Sequence, residues 1–131
     1  MLIREYTPHD FDALRRLHAS QGFGYPFPDL ESPLFVTKLV LEDDAADVAM
    51  AVLLRLTAEA YLLHDPAAGT PRLRWQRFLA LHEAARHSAA ARGLDDVQAF
   101  LPPRVARAFG RRLSRLGWTR DPWACFSRKV M

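Results

Sequence analysis

Three extended segments follow one another in the middle of this chain. Residues 35–42 are rich in β-branched and apolar types, Asp43-Asp44 supplies a turn, and residues 47–56 and 57–64 continue the pattern. Strands joined by so little chain must pair with one another, so 47–56 and 57–64 are expected to be antiparallel neighbours. Their near-continuous apolar character predicts central strands covered on both faces. A sheet of that kind needs helices to bury it.

The flanking sequence supplies helices. Residues 2–6 alternate as a short strand, and Thr7-Pro8-His9-Asp10 reads as a helix start with Thr7 as N-cap and Pro8 in the first turn. Phe11, Leu14 and Leu17 share one face of that helix, which should stop before Gly22. A loop, 21–28, interleaves Phe23, Tyr25 and Phe27 with glycines and prolines. Those aromatics are either a plug over the core or one wall of a binding cleft. Thr70-Pro71 repeats the helix start. The helix it opens runs to about Arg92, with Leu73, Trp75, Phe78, Leu79, His82, Ala85 and Ala89 inward and Gly93 as its stop. Residues 95–101 read as a strand ended by Pro102-Pro103. In a last helix Val105, Phe109, Leu113 and Leu116 face one way and Arg104, Arg107, Arg111 and Arg115 the other, with Gly117 as the stop. Residues 118–130 read as a final strand or hairpin.

The order predicts one α/β (α+β) domain over residues 1–131, with a mixed, mostly antiparallel sheet. The length of 131 residues suits a single domain that buries about two-thirds of its extended surface. A lone cysteine, Cys125, excludes an internal disulfide and a cysteine-based zinc site, and is expected to be a small buried hydrophobe. No apolar run approaches the roughly 20 residues of a membrane span. Glu5 interrupts what a signal peptide would need to be apolar, so the expected location is cytoplasmic. The net charge of +3 is too mild to call for nucleic acid, although 16 of the 18 basic residues are arginine.

The strand-to-helix opening Ile3-Arg4-Glu5-Tyr6-Thr7-Pro8-His9-Asp10, the central helix leaving through Ala91-Arg92-Gly93-Leu94, and the closing Leu113-Ser114-Arg115-Leu116-Gly117-Trp118 resemble the GNAT superfamily of acyl-CoA-dependent N-acetyltransferases over nearly the whole chain. The resemblance implies a GNAT-like sheet flanked by about four helices. It implies acetyl-CoA as co-substrate, a small-molecule or peptide amine as acceptor, and a homodimer of the kind family members often form; the short apolar runs lead to the expectation of no membrane partner.

The family cradles the CoA pyrophosphate with Arg/Gln-x-x-Gly-x-Gly/Ala before the central helix, because glycine lets backbone N–H groups approach phosphate and the helix dipole adds attraction. Here the matching stretch, residues 66–76, keeps one glycine, Gly69, and Pro71 removes a donor. Carried over position by position, the cofactor-binding residues are Leu62, Leu63, Gly69, Thr70, Arg72, Arg74 and Gln76. Arg72, Arg74 and Arg77 crowd the first two turns, against the helix dipole, so a bound anion there would relieve a cost of about 0.3–1 kcal/mol each. In an arginine-rich chain they equally serve as solvated surface. The tyrosine that protonates the thiolate in many members is Leu113 here, and the asparagine after the preceding strand falls at Pro102-Pro103.

Acyl transfer to an amine needs a base to take the ammonium proton. Glu59, on the strand that would pass the acetyl group, is the first candidate; its plain role is an exposed strand carboxylate. His64 at that strand's end is the second. His82 reads as a core histidine, and His9, His18 and His87 as surface residues. Phe23, Tyr25 and Phe27 would wall the acceptor site. No His, Asp or Glu spacing suggests a metal. The alternative function is a GNAT-like domain without catalysis that binds CoA, another anion or a protein. A third reading, a binder of nucleic acid or acidic protein, uses the arginine stripe of the last helix, a pattern that more often marks a solvated face.

Overall fold

The computed structural model describes residues 1–131, which divide into two compact units, Met1–Gln98 and Ala99–Met131. In the first unit β1 (Leu2–Glu5), β2 (Phe35–Glu42) and β3 (Val48–Arg55) form an antiparallel sheet in the order β1-β2-β3. A 3-10 turn, Pro8–Asp10, leads into α1 (Phe11–Gln21), which ends at Gly22 in the left-handed region. β4 (Ala58–Glu59) and β5 (Val97–Gln98) pair in parallel, and α2 (Pro71–Ala91) connects them. The second unit holds α3 (Pro103–Arg115). The fold is therefore mixed α+β, with three helices, a three-stranded antiparallel sheet and a small parallel pair. No helix is long and apolar enough to cross a membrane.

The core lies between α1 and one face of the antiparallel sheet. Opposite partners in the register share a face, so Arg4, Val40 and Ala51 point one way with Lys38 and Leu53. On that side Leu14, Leu30 and Val40 are buried, and Tyr6, Phe27, Val48 and Leu53 pack around them. Arg4 sits at the edge of this core. Its guanidinium meets both carboxylate oxygens of Asp10 at 2.8 Å, and its Nε donates to Glu42 at 2.8 Å. Asp10 also accepts the backbone N–H of Thr7 at 2.9 Å, which ties β1 to the start of α1. Lys38 Nζ donates to the Leu30 carbonyl at 2.8 Å and lies 5.3 Å from the Tyr6 ring.

Several expectations are corrected here. β3 is an edge strand covered on one face only: Ile3, Met50, Val52 and Leu54, on the other face, are about half exposed or more. An apolar run does not say how many faces are covered. The segment 57–64 keeps only two paired residues and joins β5, not β3. β5 is itself two residues long because Asp95-Asp96 and Pro102-Pro103, poor strand formers, bracket it. Residues 118–130 form no strand; Pro122 interrupts the ladder donors and Cys125 is exposed. Finally, α2 buries no residue completely. Trp75, Phe78, Leu79, His82 and Ala89 are half-buried at helical spacing, whereas Leu73 and Ala85 are exposed.

Candidate functional site

Thr70 caps α2. Its hydroxyl accepts from the Leu73 N–H at 3.1 Å, and its extended backbone lets Pro71 occupy the first turn, where no donor is needed. The preceding turn is built on Asp65, whose side chain accepts from Ala67 N at 2.9 Å and whose carbonyl accepts from Ala68 N at 3.3 Å. Gly69 then adopts φ +72°, a conformation that a side chain would strain. No acceptor in the chain takes the N–H groups of Gly69, Thr70 and Arg72. They lie at the positive end of a 21-residue helix that has no acid in its first turn.

Two arginines converge on this point. Arg74 Nη1 donates to the Gly69 carbonyl at 2.7 Å, so its guanidinium is folded back over the loop. Arg77 lies beside Gly69, with Nη1 3.6 Å from where a Cβ would stand. Arg77 is not among the cofactor positions implied by resemblance; its spacing of eight residues from Gly69 hides a contact that the first two turns of helix create. Arg72 and Gln76 are exposed and unpartnered, and so are Leu62, Leu63 and His64. The structure thus gathers Gly69, Thr70, Arg74 and Arg77 with the backbone N–H of Arg72, and shows no contact of Leu62, Leu63 or Gln76 with them.

Glu59 ends β4. The Tyr61 hydroxyl donates to its carboxylate at 2.9 Å, and this hydrogen bond to an anion pushes the phenol's pKa up. A spacing of two on extended chain puts both side chains on one side of the strand. That spacing is visible in the sequence, although Tyr61 is not among the expected site residues. Both residues are exposed. A parallel strand–helix–strand unit presents the carboxyl end of its first strand and the N-terminus of its helix at the same end of the pair. Glu59 and the Gly69 loop both lie in the connection at that end.

The aromatic loop packs on α1. Phe27 meets Phe11 edge-on at 5.6 Å and His18 at 5.5 Å, and it contacts the core, so Phe27 is a plug. His18 is half-buried, not the surface residue expected: its Nε2 lies 2.9 Å from the Tyr25 carbonyl and its ring packs against Tyr25. Phe23 stacks on Tyr25, and both remain about half exposed. A separate cleft of about 280 Å³ is lined by Pro28, Asp29, Ser32, Phe35, Arg55 and Asp95, with Arg55 and Asp95 ion-paired across it. None of its residues stood out in the sequence. No three His, Cys, Asp or Glu side chains are placed to hold a metal ion.

Compared with known proteins, the chain matches no family model, no curated protein and no solved structure.

Proposed function

We propose that this chain is a GNAT-like, acyl-CoA-dependent N-acetyltransferase that moves an acetyl group to the amine of a small molecule or peptide. The carrying observation is the Gly69 corner: three open backbone N–H groups and the guanidiniums of Arg74 and Arg77 at the N-terminus of α2, in the crossover between two parallel strands. Donors so arranged fit a pyrophosphate, with arginine replacing the missing glycine-rich backbone. The residues therefore suit the CoA phosphates. Glu59, at the end of β4, takes the proton of the ammonium acceptor; the amine nitrogen then attacks the thioester carbonyl carbon, the C–S bond breaks, and the departing thiolate takes up the second proton that the nitrogen loses, leaving as the thiol. Tyr61 holds the Glu59 carboxylate in place.

The alternative, a CoA or anion binder without catalysis, is favoured by one observation. Glu59 and Tyr61 stand open to water, where a base gains little from its surroundings.

Calorimetric titration with acetyl-CoA tests the binding half. Micromolar, salt-sensitive binding that disappears in Arg74→Ala/Arg77→Ala, with the helical circular dichroism unchanged, supports the reading. No heat at millimolar acetyl-CoA refutes it. An amine screen then separates the two functions: Glu59→Gln lowers turnover at unchanged CoA affinity if the protein is an enzyme, and no acceptor turns over if it is a binder.

A further inference from the structure

The mild net charge of +3 hides a strong division. Residues 99–131 hold eight basic residues against one acid, Asp121, for a net +7; residues 1–98 hold ten basic against fourteen acidic, for −4. A charge of +3, too little to call for nucleic acid, is the sum over two opposite stretches and not the charge of this unit.

Within the unit, α3 carries five arginines and no acid. Arg104, Arg107, Arg111 and Arg115 recur at spacings of three, four and four. At 100° per residue they fall within one quarter of the helix circumference and span about 16 Å. All four are exposed, and none belongs to an ion pair. In the other unit three of the nine arginines are ion-paired: Arg4 meets Asp10 and Glu42, Arg55 meets Asp95, and Arg86 meets Glu83. Arg107 with Arg111, and Arg111 with Arg115, are like-charged neighbours one turn apart, which repel in the free helix. A polyanion lying along the stripe removes that repulsion.

Three features decide which polyanion. Guanidinium forms bidentate contacts with phosphate. On the opposite side of α3 Val105, Leu113 and Leu116 are half-buried and only Phe109 is exposed, so the helix has little free apolar face to sink into a lipid interface. Exposed aromatic rings, Phe100, Phe109 and Phe126, belong to the same unit, and Phe126 is 96% exposed. Exposed rings on a basic unit suit unstacked bases, which neither an acidic protein nor a lipid headgroup supplies.

We propose that Arg104, Arg107, Arg111 and Arg115 bind the phosphodiester backbone of a single-stranded nucleic acid, with Phe126 as a stacking platform for a base. This surface is independent of the acetyl-CoA reading.

Fluorescence anisotropy with labelled 20-nucleotide oligo-dT and oligo-rU tests it on the full chain from 50 to 300 mM KCl. Four phosphate contacts predict a slope of log K against log salt near −3, from about −0.7 per contact on single strands. Arg107→Gln/Arg111→Gln should weaken binding at least 10-fold at 50 mM KCl and flatten the slope by about 1.4. Arg104→Gln/Arg115→Gln should do the same, and Phe126→Ala should weaken binding at an unchanged slope. Absence of binding at 50 mM KCl overturns the proposal. So does an unaltered slope in both double variants with native circular dichroism, or tighter binding to phosphatidylserine vesicles or polyglutamate than to either oligonucleotide.

Discussion

Replacing Asp10 with asparagine tests what joins β1 to α1. The Asp10 side chain is only 7% exposed, and both its oxygens receive N–H groups of Arg4 at 2.8 Å. The Arg4 guanidinium, above all, and the Thr7 N–H hold its carboxyl down at about 2, from 3.8, against the opposing effect of burial. A lowered carboxylate pKa stabilises the folded state wherever the group is ionised in both states. That contribution is complete above the unfolded pKa near 4 and drains away as pH falls toward 2. A shift of nearly two units corresponds to about 2.5 kcal/mol. Arg4 is 30% exposed, so water screens the pair and about 2 kcal/mol is expected. Asparagine keeps the shape and the Thr7 contact but loses the charge and the acceptor for one Arg4 N–H. Urea unfolding followed by far-ultraviolet circular dichroism, run on both proteins at pH 6, 4, 3 and 2, isolates the effect from the other carboxylates. Wild type should exceed Asp10→Asn by about 2 kcal/mol at pH 6, with the gap closing by pH 2. A gap that stays constant with pH refutes the electrostatic account and leaves only packing.

Two further outcomes follow from single contacts. Lys38→Met removes the donor to the Leu30 carbonyl and the cation beside Tyr6, which should cost about 1–3 kcal/mol and lower the melting temperature in differential scanning calorimetry; an unchanged melting temperature means water satisfies that carbonyl equally well. Thr70→Ala removes the cap of α2 at about 1 kcal/mol and should speed amide exchange at Leu73 without changing exchange in β2; unaltered exchange at Leu73 would show that the hydroxyl does not hold the helix end.

The sequence was most legible where local chemistry decides. Thr70-Pro71 and Gly93 bracket a helix seen from Pro71 to Ala91, because capping and a left-handed stop are properties of a few consecutive residues. Gly22 ends α1 on the same grounds, and the turn at Asp43 appears with that carboxylate accepting from Ala45 and Asp47. The strands at 35–42 and 47–56 were readable from composition to within a residue.

At the site, Gly69 and Thr70 were readable because positive φ and capping leave a signature in one residue. Arg77 and Tyr61 were not, since each matters through where its side chain reaches. Which strands pair is the same kind of question: β4 found β5, almost forty residues away, where its neighbour β3 had been expected. Pairing depends on edges and partner lengths that no single segment encodes.

Sequence alone therefore determined the helices with their caps and stops, the strands at 35–42 and 47–56, and the charge of each stretch, since these follow from residues within one helical turn or one strand of each other. Tertiary structure alone decided that Asp10 is buried against Arg4, that one face of β3 stays open, and that Arg74 and Arg77 meet at Gly69. Those facts depend on contacts between segments, where burial changes the worth of a charge and packing chooses among partners that local propensity leaves equal.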